Sequence, residues 1–296
     1  MRHTPPPRTP PNPDHDPIAR IFGSNLALRI ISGLALAAAA LGLTYAGPLP
    51  FAFLVTAFVA VMAWEWGRLV SSSGLDAAWA VHLATTALAT WLAATDCPSC
   101  AVLAVGVGTL AVFLLRRVRL GNLESWWSAT GVFYAGLPAV ALVWIRSDAE
   151  FGWYAILFIF VTVWTTDTAA YIFGRAIGGA LLAPRISPKK TWAGLFGGLI
   201  CAVLFGAAVL IGLAGARDWL AAILLSAAVS LVAQGGDLGE SSIKRLFGRK
   251  DSSGLIPGHG GVLDRVDGLV FAALACAIVA LIRASEAPGY ALVVWE

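Results

Sequence analysis

The chain has 296 residues, 58% of them hydrophobic and only 12% charged, with a mean hydropathy of +0.79. Soluble domains carry charge on about a quarter of their residues, so this composition excludes a water-soluble globular protein and makes the bilayer the solvent. A net charge of +3 excludes the strong basic field of a nucleic-acid binder, and no nucleic-acid partner is expected.

Taken in chain order, residues 1–22 read as a disordered cytoplasmic tail. Pro5, Pro6, Pro7, Pro10, Pro11, Pro13 and Pro17, seven of the fifteen prolines, lie there among charged residues, and such a segment cannot bury enough apolar surface to fold. It lacks the features of a secretory signal. Residues 23–296 read as a single integral membrane domain without internal repeats.

A helix needs about 20 apolar residues to cross the hydrocarbon core. On that ruler the domain is an all-α polytopic bundle of about nine spans. They run Leu26 to Tyr45, Pro48 to Trp66, Ala77 to Thr95, Ala101 to Leu115, Ser128 to Ile145, Phe151 to Phe173, Thr191 to Leu213, Trp219 to Gly236 and Arg265 to Ile282. With the N-terminus placed in the cytoplasm, all but three of the 20 Lys and Arg residues fall on the cytoplasmic side, the exceptions being Arg146, Arg217 and Arg283. That asymmetry is the positive-inside pattern and predicts nine crossings with the C-terminus outside. The expected location is the cell (inner) membrane, with the polar site on its cytoplasmic face. Trp64, Trp66, Trp126, Trp127, Trp153 and Trp219 suit an interfacial belt. Gly194, Gly197 and Gly198 suit close helix packing.

Four cysteines are present. Cys201 and Cys276 sit in apolar runs, as small hydrophobes do. Cys97 and Cys100 flank Pro98 and Ser99 in a short turn that fits either a local disulfide in an oxidising compartment or two thiols. No second pair completes a zinc site.

Ionisable groups at membrane depth are costly and are functional candidates by default. Glu65 and Arg68, three apart, read as a structural pair. Asp167 shares a helical stripe with Tyr171 and Arg175; it is either a site residue or a buried tie within the bundle. The segment SPKKTW, with Ser187 and Pro188, is expected to start the seventh helix, so that Lys189 and Lys190 face either an anion or lipid headgroups.

The most polar stretch runs from Asp237 to Asp267. If the eighth helix persists, Asp237, Glu240, Ser241 and Lys244 lie on one face. Arg245, Arg249, Lys250 and the Gly-rich turn Pro257 to Gly261 follow, then Asp264, Arg265 and Asp267. Interleaved acids and bases around a Gly-rich turn have the logic of a phosphate site. Mg²⁺ is usually held by one or two carboxylates together with substrate phosphates. Lys and Arg balance the remaining charge, and glycine lets backbone N–H groups approach phosphate oxygens.

The stretch SIKRLFGRKDSSGLIPGHGGVLDRVD, Ser242 to Asp267, resembles the signature of the phosphatidate cytidylyltransferases. Every fixed position of that signature is present: Ser242, Lys244, Arg245, Lys250, Asp251, His259, Gly260, Gly261, Asp264, Arg265 and Asp267. Asp237, Glu240 and Ser241, the Asp167 to Arg175 stripe and SPKKTW are similar to further family elements, so the resemblance covers the C-terminal half closely. The N-terminal half resembles the family only in hydropathy. One departure is Ala193, where the family commonly carries an acid.

The resemblance implies a nucleotidyltransferase that joins CTP to phosphatidic acid, giving CDP-diacylglycerol and pyrophosphate for phospholipid biosynthesis, with one or two Mg²⁺ ions. On that basis Asp237, Asp264 and Asp267 are expected to hold metal, with Glu240 and Asp167 as further ligands. Lys244 and His259 would complete the catalytic set. Lys189, Lys190, Ser242, Arg245, Lys250, Gly260, Gly261, Arg265 and Tyr171 would bind substrate. Expected partners are CTP, phosphatidic acid and membrane lipids, with a homodimer left open. The competing reading is a transporter or channel that uses Asp167 and the inner-face carboxylates. A CDP-alcohol phosphotransferase would need a D-x-x-D-G-x-x-A-R run, which is not found in the sequence.

Overall fold

In the computed structural model, residues 25–72, 74–118, 121–255 and 260–295 are described; the proline-rich tail of residues 1–22 lies outside them. The long helices are α1 (Asn25–Ala46), α2 (Pro48–Ser71), α3 (Ala77–Ala94), α4 (Pro98–Arg117), α5 (Asn122–Ser147) and α6 (Gly152–Ile177). A two-stranded hairpin follows, β1 (Leu181–Ala183) and β2 (Ser187–Thr191). Then come α7 (Trp192–Ala208), continued by a π-helical turn Val209–Leu213, α8 (Trp219–Leu246), α9 (Leu263–Ala284) and the short α10 (Pro288–Val293). Eight of these are long and apolar enough to cross a membrane, and α1, at 22 residues, supplies the length for a ninth crossing. The expected spans therefore each find a helix, with shifted ends.

Helix ends follow local chemistry. Pro48 and Pro98 stand in the first turns of α2 and α4, where a missing N–H costs nothing. Asp76 caps α3 by accepting from Trp79 N at 3.0 Å, and Asp218 caps α8 by accepting from Leu220 N and Ala221 N. The turn between α3 and α4 carries a Cys97–Cys100 disulfide.

Lipid offers no hydrophobic drive between helices, so close packing and interhelical hydrogen bonds must hold the bundle. Helix α5 is its axis: 78% of its apolar window is buried, against 22% for α4 at the rim. Around it run the bonds Trp66 Nε1 to Trp127 O at 2.7 Å, Arg146 Nε to Thr44 O at 2.7 Å and Thr166 Oγ1 to Ser230 Oγ at 2.9 Å. Helices α6 and α7 approach through glycine: a Cβ on Gly194 would lie 2.7 Å from Ala170 O, and one on Gly198 2.9 Å from Thr166 O.

The structure corrects the expected start of the seventh helix. Ser187 and Pro188 lie in β2, and the helix begins at Trp192. Thr191 is extended and its side chain accepts from Gly194 N at 3.1 Å, so the cap sits four residues later than Ser187. The hairpin pairs Leu181 with Thr191 and Ala183 with Ser187.

Candidate active site

Helix α8 continues past Gly236 to Leu246, so Asp237, Glu240, Ser241 and Lys244 do share one face. Lys244 is buried and bridges two carboxylates, with Nζ 2.6 Å from Glu240 Oε2 and 2.5 Å from Asp264 Oδ1. That contact ties α8 to the first turn of α9. Asp264 also accepts from Ser252 N at 3.0 Å, Ser252 Oγ at 2.9 Å and Gly261 N at 2.9 Å. The third acid, Asp267, is buried one turn further on and accepts from Gly268 N at 2.8 Å. Its neighbours within electrostatic range are Asp237, Glu240 and Asp167.

The hairpin completes this end of the bundle. Strand alternation turns successive side chains to opposite faces, so Lys189 is exposed while Lys190 reaches inward, with Nζ 2.6 Å from Asp237 Oδ2. Arg245 ties the hairpin to α8 by donating from Nε to Ile186 O at 3.3 Å, and donates a second hydrogen bond to Arg249 O at 3.2 Å. Asp167 on α6 is near Lys190 and Arg265. Asp167, Thr168 and Arg265 are the polar side chains lining a cavity of about 420 Å³ whose walls are mostly apolar, including Leu36, Phe58, Met62, Leu142 and Leu269.

Several expected site residues are placed elsewhere. The Ser242 hydroxyl donates to Leu238 O at 2.8 Å, within its own helix. Tyr171 is exposed and its hydroxyl accepts from Arg175 at 2.9 Å. Lys250 is exposed. Gly260 has a φ of 86°, a left-handed conformation that favours glycine. The Gly261 amide is turned to Asp264, and a Cβ at Gly261 would collide with Ser252 Oγ and the Glu65 carboxylate. The Gly261 amide is thus committed to Asp264 within the loop. His259, with Pro257 and Gly258, lies outside the described residues.

Two residues were missed. Glu65 does not pair with Arg68, whose guanidinium lies over the Trp64 ring. Its fully buried carboxylate instead accepts from Val262 N, Leu263 N, Ser252 Oγ and Ser253 Oγ. Its place inside an apolar run was the signal; its partners were not readable. Tyr134 on α5 stacks on Trp66 at 4.9 Å and lies within electrostatic range of Glu240, Asp267 and Asp237. Nothing in its sequence context marks it. Among the described residues no three His, Cys, Asp or Glu side chains converge closely enough to hold a metal ion unaided.

A helical membrane bundle with buried acids and bases at one end, beside a mostly apolar cavity, is an arrangement suited to a membrane-embedded enzyme that handles phosphates. The sequence model of the cytidylyltransferase family matches residues 27–282. A phosphatidate cytidylyltransferase of Brucella suis is 41% identical over 250 residues, which are 84% of this chain and 91% of that protein. Proteins of the same name from Haemophilus influenzae and Staphylococcus saprophyticus are 45% identical over 145 residues (47% of this chain, 50% of that protein) and 40% over 163 (55% and 61%). The chain belongs to the cytidylyltransferase family, and is a nucleotidyltransferase.

Proposed function

We propose that the enzyme transfers the cytidylyl group of CTP to phosphatidic acid, forming CDP-diacylglycerol and pyrophosphate. The observation that carries this reading is the mostly apolar cavity whose lining residues Asp167 and Arg265 adjoin the cluster of Asp237, Glu240 and Asp267. A diacyl lipid fits such a space with its tails among the apolar walls and its phosphate beside those charged side chains. The relatives' name, phosphatidate cytidylyltransferase, supports the same lipid acceptor and the same transferred group.

The chemistry asks for no protein nucleophile. A phosphate oxygen of the lipid forms a bond to the α-phosphorus of CTP, the bond between that phosphorus and the α–β bridging oxygen breaks, and its electron pair leaves with pyrophosphate. The barrier lies in bringing two polyanions into line and balancing the charge of the displacement. Arg265 and Lys190 would receive phosphate, Lys190 by exchanging its bond to Asp237. Arg245 and Lys250 stand further out, suited to the triphosphate tail, and Lys244 holds Asp264 and Glu240 in register.

Mg²⁺ suits this set: Glu240 Oε1 is buried with no hydrogen-bond partner among the described residues, and the surrounding acids outnumber the lysines paired with them. Asp237 and Asp267 would hold the ion jointly with CTP phosphates, supported by Asp167 and Glu240. We assign Asp264 to holding the loop, because its oxygens already receive Lys244, Ser252 and Gly261. When bound, the ion neutralises phosphate charge and polarises the phosphorus.

The cytoplasmic face is the one that meets CTP, and the basic residues gather there under the positive-inside pattern. The Cys97–Cys100 disulfide, in the turn at the opposite end of α3, agrees with an oxidising compartment on that other side. In detergent, protein given phosphatidic acid, labelled CTP and Mg²⁺ is expected to make a lipid-soluble cytidine product, and Asp237→Asn to abolish it while the protein stays folded and inserted. Normal turnover by that variant would sink the metal assignment; no product from the parent chain would sink the reaction.

A further inference from the structure

Glu65 lies on α2, in the N-terminal half of the chain, yet all four of its partners belong to the signature loop. Oε1 accepts from Val262 N at 2.9 Å and Ser253 Oγ at 2.5 Å; Oε2 accepts from Leu263 N at 2.7 Å and lies 3.2 Å from Ser252 Oγ. One carboxylate thus pins the connection between α8 and α9 at two places, Ser252–Ser253 in the stretch that follows α8 and Val262–Leu263 where it enters α9. It also supplies a negative charge to the first amides of α9, the positive end of that helix. The same Ser252 hydroxyl lies 2.9 Å from Asp264 Oδ2, and with a single proton it serves one carboxylate at a time. Glu65 and Asp264 therefore form a joined pair of anchors, and Lys244 is fastened to the second.

We infer that Glu65 is a positioning residue for cytidylyl transfer: by latching the signature loop to α2 at both places it sets Asp264 and Lys244, and through them Glu240, in the arrangement that turnover needs. This rests on the proposed reaction for its kinetic reading. A buried carboxylate that receives a backbone N–H on each oxygen cannot be replaced by the isosteric amide without loss, since the new NH₂ must face a backbone N–H on one side or the other.

The test is Glu65→Gln with Ser253→Ala as its partner variant, in full-length protein reconstituted in liposomes. Glu65→Gln is expected to lower the midpoint of thermal unfolding while remaining folded at the assay temperature, to lower kcat roughly 10- to 100-fold there, as small misplacements of catalytic groups do, and to leave KM for phosphatidic acid unchanged. Trypsin cleavage at the exposed Arg249 and Lys250 should accelerate several-fold in Glu65→Gln and less so in Ser253→Ala, with the double variant close to Glu65→Gln alone. Parent-like kcat and cleavage in Glu65→Gln would overturn the inference. So would a variant whose activity falls only in step with its folding while Ser253→Ala matches the parent in kcat and cleavage. Cleavage requires no turnover, so absence of product from the parent protein would overturn the reaction and leave the latch to be decided by proteolysis.

Discussion

Lys244 shows how much a single side chain can organise. It is buried, carries a positive charge, and is the shared partner of Glu240 and Asp264. Removing one partner of a buried ion pair typically costs about 3–5 kcal/mol, because it strands the other charge. Lys244→Met should accordingly destabilise the protein by a free energy of that order, read as a lower midpoint of thermal unfolding in detergent, and adding Glu240→Gln should recover part of the loss; additive losses would show the two do not act together. The sequence made this group legible because positions 237, 240, 241 and 244 are related by helical spacing, which is local. Glu65 was misread as a partner of Arg68 for the converse reason. Its true partners stand 187 to 198 positions away, and no local rule connects them.

The hairpin and the α6–α7 pair matter at the scale of elements. The lysines of SPKKTW were expected to point together from a helix start; as a strand, the segment splits them and commits only Lys190 to Asp237. The helix instead starts after Thr191, whose backbone is extended and whose hydroxyl accepts from Gly194 N. Helix α7, which follows the hairpin directly, is held against α6 by the absence of side chains at Gly194 and Gly198. Gly198→Val would place its branch against Thr166 O, and overpacking of this kind costs about 1–3 kcal/mol. The variant should unfold at lower temperature and lose transfer activity, since α6 carries Asp167 and α7 carries the hairpin. Unchanged unfolding and turnover would show that the helices can part without consequence.

The bundle as a whole creates what no segment contains, a cavity bounded by α1, α2, α5, α6 and α9 and lined by Asp167 and Arg265 among apolar side chains. Gly33 borders it, and a Cβ there would meet nothing within 4 Å. Gly33→Trp should therefore fill lipid space without straining the fold, raising KM for phosphatidic acid about tenfold, equivalent to 1.4 kcal/mol, with KM for CTP unchanged. An equal effect on both substrates, or on neither, would remove the cavity from the lipid path.

By itself the sequence determined the membrane class, the series of crossings, the family signature and the acids and bases of α8 and α9. Each of these is written in composition, in runs of about 20 residues or in spacing within one helix, and so needs no partner to be read. Tertiary structure decided which charges meet: Lys190 with Asp237, Lys244 with both Glu240 and Asp264, and Glu65 with the connection between α8 and α9. It also decided that the Gly261 amide serves Asp264 and that Asp167 and Arg265 share one cavity. In an apolar medium a buried charge must find its counterpart wherever the fold brings one, and only the packing of distant helices sets where that is.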